Sequence, residues 1–328
     1  MFDPKRFVEE KVSEAKEKIK GKAIIAVSGG VDSTVAASIV SNAIGEDLLA
    51  VHVDNGFMRD IFDGKRKRRE SEYIVEVLKD SGINAKLVDA SEEFLDALKE
   101  VSEPEEKRRI IGEKFIRIFE NEAREFGAEY LVQGTIAPDW IESGGGQRDT
   151  IKTHHNVGGL PEKISLKLFE PNRNLYKDET RKVAEFLGFP DKIYRRQPFP
   201  GPGLAIRVVG APPMRKNIEI VRRANYLWEK IIEDAIRDGT LEYKERQYFA
   251  GYFPNTKIVG VHGDLRFYKG FIGLRCIETK DYMTANFEKL PWGLLEEASI
   301  EITNELGKDV VGVFYDIANK PPRTVEFE

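Results

Sequence analysis

Residues 23–40 read Ala23-Ile24-Ile25-Ala26-Val27-Ser28-Gly29-Gly30-Val31-Asp32-Ser33-Thr34-Val35-Ala36-Ala37-Ser38-Ile39-Val40. The first five residues are an apolar run suited to a buried parallel strand. Residues 35–40 are small and apolar, as in a helix packed on a sheet. A strand that turns through two glycines into a helix leaves free backbone N–H groups at the helix start. With the positive end of the helix dipole, those groups make an anion site. Ser28, Ser33 and Thr34 add hydroxyls, while Gly29 and Gly30 admit a phosphate close to the backbone. A Walker A loop would carry a lysine; here Asp32 stands inside the loop instead. A carboxylate beside phosphates makes sense when a divalent cation lies between them, since like charges otherwise repel.

Working outward, apolar runs alternate with helix-like stretches through the first two-thirds of the chain, the order of a doubly wound α/β sheet. Leu48–Val53 reads as the second strand and Ser71–Ser81 as a helix, with Ala85–Asp89 a third strand. Helices are expected near Glu92–Lys99 and Pro104–Phe126, and Tyr130–Gly134 is the fourth strand. Ligands in such sheets bind beyond the carboxyl ends of the strands. The phosphate loop, Asp54–Arg59 and Gly134–Asp139 therefore face one crevice. From about Arg196 the pattern changes. Leu204–Val209 reads as a strand, Met214–Ile236 as a long amphipathic helix, and Lys257–Val261 and Lys269–Ile277 as strands. Helix Pro291–Leu306 and strand Val310–Phe314 follow. This order implies a small α+β domain, giving a division into residues 1–195 and 196–328.

With 328 residues and 41% hydrophobic content, the chain can bury two cores. No apolar run approaches the roughly 18 residues of a membrane span, and Met1–Lys5 lacks an apolar signal core, so a cytoplasmic protein is expected. A net charge of −5 gives no reason to expect nucleic acid as a partner. The basic run Lys65–Arg69 reads as a solvated face. The single cysteine, Cys276, lies in the apolar stretch Ile272–Ile277 and reads as a core residue, which argues against a nucleophilic cysteine.

A second informative stretch follows the fourth strand. Asp139-Trp140-Ile141-Glu142-Ser143 leads through Gly144-Gly145-Gly146 to Lys152-Thr153-His154-His155-Asn156. Glycines around a basic, histidine-containing segment suggest a lid over anionic ligands. The paired histidines do not read as a zinc site, because adjacent side chains point apart.

The Ser28–Ser33 loop resembles the PP-loop of the N-type ATP pyrophosphatases, which split ATP between its α- and β-phosphates. Residues 139–143 and 152–156, together with Pro198-Phe199-Pro200-Gly201-Pro202-Gly203-Leu204-Ala205-Ile206-Arg207 and the tail Lys320–Glu328, resemble GMP synthetase nearly end to end. The likeness is to the separate ATP-pyrophosphatase subunit found where that enzyme is split in two. The resemblance implies a C-terminal dimerisation domain that binds XMP, and a homodimer. It further implies ATP and Mg²⁺ as cofactors, XMP and ammonia as substrates, and a separate glutamine amidotransferase subunit as the ammonia source. On the same basis, ATP falls to Ser28, Gly29, Gly30, Val31, Asp32, Ser33, Thr34 and Val53, with Asp32 on the metal. Asp139, Glu142, Lys152, His154 and His155 act in catalysis, while XMP falls to Arg108, His262, Lys320, Val325 and Glu326. The family has glutamine at the position of His262 and tryptophan at that of Phe327. Another PP-loop enzyme, such as an NAD synthetase or a tRNA-modifying enzyme, would share residues 28–33 without the His154-His155 lid. A non-catalytic nucleotide-binding module would give no reason for a lid.

Overall fold

The computed structural model describes residues 2–142, 166–262, 264–279 and 283–328, with backbone only at 140–142 and 262. Along the chain the helices are α1 (Pro4–Lys18), α2 (Val31–Ile44), α3 (Glu70–Asp80), α4 (Ser91–Leu98), α5 (Pro104–Phe126), α6 (Ala137–Glu142), α7 (Lys177–Phe186), α8 (Asp191–Tyr194), α9 (Arg215–Arg237) and α10 (Trp292–Leu306). The strands are β1 (Ala23–Ala26), β2 (Leu48–Asp54), β3 (Asp60–Phe62), β4 (Lys67–Arg69), β5 (Ala85–Asp89), β6 (Tyr130–Val132), β7 (Lys167–Phe169), β8 (Arg246–His262), β9 (Leu265–Glu278), β10 (Asn286–Phe287) and β11 (Val310–Tyr315). The chain clusters into two units. One holds residues 1–54, 70–90 and 112–196; the other holds 55–69, 91–111 and 197–328. Two internal segments, 55–69 and 91–111, thus group with the C-terminal residues.

In the first unit, the described strands form a parallel sheet ordered β5-β2-β1-β6-β7. Both of its faces are apolar. Ile24, Leu49, Val51 and Leu131 gather with Ala123, Phe119 and Phe126 of α5, while α2 packs on β1 and β2 and against α1 and α7. Period-2 strands with both sets of side chains buried are what a doubly wound sheet requires. Local signals place the helix starts. Asp3 accepts from Arg6 N–H before Pro4, and α5 opens Pro104-Glu105-Glu106, a proline at the first position with carboxylates on the positive end of the dipole.

The second unit has a mixed sheet centred on β9. β8 pairs antiparallel along one edge of β9, and β11 pairs parallel to it. α9 packs on β8, and α10 on α9 and β11. Two expectations need correction here. Leu204–Val209 is not a strand: Gly203–Arg207 is a turn of 3-10 helix, and the Leu204 N–H donates to the Phe57 carbonyl at 2.8 Å rather than to a ladder. The basic run Lys65–Arg69 is solvated only in part. It forms the β3–β4 hairpin, in which Arg69 donates to the Met58 carbonyl at 3.1 Å and Arg68 pairs with Asp63 at 3.5 Å. Strand β8 also begins eleven residues before Lys257, so the strand read at 257–261 is only its end. Among the described residues, no helix is long and apolar enough to cross a membrane.

Candidate active site

The phosphate loop lies where the strand-to-helix reading put it, between β1 and α2. Gly30 is the N-cap of α2, and among the described residues no side chain caps the helix, which leaves its first N–H groups without an intrahelical acceptor. Ser33 Oγ and Thr34 Oγ1 each donate to the Gly30 carbonyl, at 3.1 and 3.0 Å. Gly29 has φ +80°, and a Cβ there would come within 2.2 Å of the Ile74 side chain. Only glycine fits this bend. Behind the loop, Arg196 forms a two-pronged pair with buried Glu70 at 2.8 and 2.7 Å and donates to the Ser28 carbonyl at 3.1 Å. Gly134, on the loop after β6, allows close approach from the other side. A Cβ there would lie 2.7 Å from the Asp32 carbonyl carbon.

Asp32 is at the first turn of α2 and has two different oxygens. Oδ2 accepts from Lys177 Nζ at 2.6 Å, whereas Oδ1 is buried with no partner among the described residues. A buried carboxylate oxygen without a donor suits a cation, so Asp32 fits the Mg²⁺ expectation. Among the described residues, no three His, Cys, Asp or Glu groups gather as a metal cluster. A hard cation at Asp32 would therefore draw its other oxygens from phosphates and water. Asn172, fully buried, donates from Nδ2 to the Asp32 main-chain carbonyl at 2.8 Å. Val53 is paired with Val88 of β5 near the end of β2, which runs on past its last partner in β1. Asp139 sits in the first turn of α6, where its Oδ2 accepts from the Ile136 N–H at 3.0 Å.

The second unit gathers the other expected residues. Tail residue Glu326 accepts both Arg207 Nε (3.0 Å) and Arg207 Nη2 (2.9 Å), and Gln247 Nε2 donates to it at 3.2 Å. Arg108 Nη2 donates to the Glu328 main-chain oxygen at 2.5 Å. The neighbouring, fully buried Lys107 donates to Glu328 Oε2 at 2.6 Å and to the Val208 carbonyl at 2.7 Å. Burial pushes the Lys107 ammonium below its usual range, against the pull of Glu328, and pushes the Glu328 carboxyl up. Lys320 pairs through its backbone with Ala285 at 3.0 and 2.8 Å, and Val325 is half-buried. Cys276 is fully buried in β9, and desolvation pushes its thiol up to about 12. Such a thiol is no nucleophile near neutral pH.

Lys152, His154 and His155 lie outside the described residues, as do the side chains of Glu142 and His262. Ser28–Thr34, Val53 and Asp139 fall in the first unit; Arg108, Lys320, Val325 and Glu326 fall in the second. Sequence reasoning missed Lys177 and Asn172. The signal within reach was a helix start, since the Glu179 carboxylate accepts from the Tyr176 N–H at 3.0 Å just before Lys177. Nothing local could reveal that this helix start meets Asp32.

Comparison with known proteins gives concordant likenesses at both ends of the chain. The GMP synthase C terminal domain family matches residues 234–327, and the Thiamine biosynthesis protein (ThiI) family matches residues 18–138. A subunit of the glutamine-hydrolyzing GMP synthase of Pyrococcus abyssi is 52% identical over 325 residues, spanning 98% of this chain and 99% of that protein. The glutamine-hydrolyzing GMP synthase of Clostridium tetani is 48% identical, spanning 98% of this chain but 61% of that longer protein. A solved NMN synthetase from Francisella tularensis aligns over 67% of this chain and 85% of its own, at 16% identity and a TM-score of 0.45. An identity of about one residue in two, sustained over nearly the whole of both chains, means that this protein belongs to the same glutamine-hydrolyzing GMP synthase family as the Pyrococcus subunit.

Proposed function

We propose that the chain is the ATP-consuming member of a two-subunit GMP synthase. The xanthine 2-oxo oxygen of XMP attacks the α-phosphorus of ATP, the bond to pyrophosphate breaks, and the ring gives up its N3 proton. Ammonia then adds at C2, and AMP leaves with that oxygen while nitrogen sheds a proton, giving GMP. The observation that carries this reading is the uncapped start of α2 with Asp32 and Lys177 at its mouth, a site for concentrated negative charge.

The N–H groups from Gly29 to Thr34, with Ser28, Ser33 and Thr34, hold the β- and γ-phosphates. Asp32 holds Mg²⁺, which when bound neutralises charge on the departing pyrophosphate. Lys177 leaves Asp32 for that same pyrophosphate, keeping the charge balanced. The backbone at Val53 meets adenine. Arg108, Lys320, Val325, Glu326 and His262 receive XMP, with Lys320 on the monophosphate and Glu326 accepting from purine N–H groups. Asp139 and Glu142 couple the ATP site to the 152–156 segment, from which Lys152, His154 and His155 act.

A separate glutamine amidotransferase supplies the ammonia. Buried Cys276 and the longer Clostridium relative both favour a division of labour. The exposed apolar residues Val259, Val261, Tyr268 and Phe314 on β8, β9 and β11 support a homodimer, working in the cytoplasm.

The test incubates the purified chain with MgATP, ammonium and XMP and separates the nucleotides. GMP with matching AMP and pyrophosphate, absent without XMP, supports the reading. AMP formed without GMP points to another acceptor, and no ATP turnover in the presence of ammonium overturns it.

A further inference from the structure

The tail at 324–328 is anchored several times over, independently of Glu326. The Thr324 carbonyl accepts from Arg275 at 2.9 Å, and the Phe327 ring lies edge-on to Phe249 and Phe253 at 5.5 and 5.3 Å. Glu328 is held by Lys107 at one carboxylate oxygen, by the Gly210 N–H at the other (2.6 Å), and by Arg108 at its main chain. The position of the tail thus needs no help from Arg207. The orientation of the Glu326 carboxylate does.

Arg207 is 1% exposed and carries partners on three of its nitrogens. Nε and Nη2 grip the two oxygens of Glu326, and Nη1 donates to Asn225 Oδ1 at 3.0 Å. Asn225 is itself pinned. Its Oδ1 also accepts from the Ala250 N–H at 3.2 Å, and its Nδ2 donates to Glu229 Oε1, which in turn accepts from Arg59 and Gln197. The guanidinium further lies 4.3 Å from the Phe249 ring centre and 5.1 Å from that of Phe199. A planar fork held this firmly sets the plane of the carboxylate it grips.

We infer that Arg207 is the positioning residue of the acceptor-base subsite. It fixes Glu326 as an oriented carboxylate that selects purine rings presenting N–H groups over rings presenting bare nitrogens. This rests on the reading that Glu326 meets the XMP base. A lysine at 207 would keep the charge but lose the fork, so it separates orientation from simple neutralisation.

The experiment measures, with a non-hydrolysable ATP analogue filling the ATP site, binding of XMP and of AMP, a monophosphate whose ring lacks N–H at N1 and N3, to wild type, Arg207→Lys and Glu326→Gln. The expected result is at least a tenfold fall in the XMP-over-AMP preference in both variants, with KM for XMP rising more than kcat falls. A merely structural loss would weaken both nucleotides together and leave the ratio unchanged. If Glu326→Gln loses the preference while Arg207→Lys keeps it, the inference is overturned and the reading of Glu326 stands. If both keep it, the reading of Glu326 itself fails. Should Arg207→Lys not fold, Asn225→Ala removes the acceptor that holds the Arg207 fork at Nη1. A narrowed ratio then supports the inference and a wild-type ratio overturns it.

Discussion

Lys177 Nζ lies 2.6 Å from Asp32 Oδ2, joining the first turn of α7 to the first turn of α2 across 145 residues of sequence. The Lys177 side chain is 47% exposed, so the pair contributes little to stability, on the order of 0–1 kcal/mol. Its place at an anion site is the informative fact.

Lys177→Met is therefore expected to leave the thermal midpoint nearly unchanged while lowering kcat/KM for ATP by roughly 10²- to 10³-fold, the usual scale for removing one charge-stabilising group. Asp32→Asn should act similarly and also weaken the Mg²⁺ dependence. Steady-state rates against ATP and Mg²⁺ decide the matter. Wild-type kcat/KM in Lys177→Met would remove that lysine from the site.

His52 predicts a pH effect. Its ring is buried, with Nδ1 2.6 Å from the Val27 carbonyl oxygen and Nε2 lacking a partner among the described residues. Desolvation holds its pKa below 6.5, outweighing the Val27 hydrogen bond and the Asp54 charge. The unfolded chain thus takes up a proton near pH 6.5 that the folded chain refuses until lower pH. Stability is lost as pH falls through 6.5 toward the folded value, by up to about 1.4 kcal/mol per pH unit. Urea midpoints at pH 7.5, 6.5 and 5.5 should show a shallower slope for His52→Gln. An unchanged slope would acquit the ring.

Gly203 has φ +66°, and a Cβ there would sit 2.6 Å from the Phe57 carbonyl oxygen. That oxygen accepts the Leu204 N–H, so neither backbone can give way without losing a bond. Gly203→Ala should cost on the order of 2–3 kcal/mol, from backbone strain plus overlap. A melting midpoint within a degree of wild type would contradict this.

Cys276 offers a chemical check. With a thiol pushed to about 12, only roughly one part in 10⁴ is thiolate at pH 8, and the sulfur is buried besides. A maleimide should label the native chain at least about 10³-fold more slowly than the chain in denaturant. Rapid native labelling would mean that β9 opens.

The sequence was most legible where function is built from consecutive residues. The phosphate loop needs a strand, two glycines and a helix start in one short run, and the periodicity around Gly29 and Gly30 shows all three. The same holds for α5, whose start at Pro104 and end at Phe126 follow from local capping and charge. The segment 203–207 misled because Leu204, Ala205 and Ile206 are as apolar as a buried strand. The Leu204 N–H instead goes to the Phe57 carbonyl 147 residues earlier, a partner that no window of sequence contains.

By itself, then, the sequence determined the strand, glycine turn and helix start around residues 28–34, the carboxylate inside that turn and the change of pattern near Arg196, because each depends on neighbours in the chain. Tertiary structure alone decided which distant side chains complete those groups. Lys177 reaches Asp32, Arg196 and Glu70 brace Ser28, and Arg207 grips Glu326 across 119 residues. An isolated arginine or lysine in a sequence is by default a solvated charge. For Arg196 and Arg207, only packing, which strips the water and brings acceptors within reach, turns such a charge into a part with a position, while half-exposed Lys177 is placed by the meeting of two helix starts.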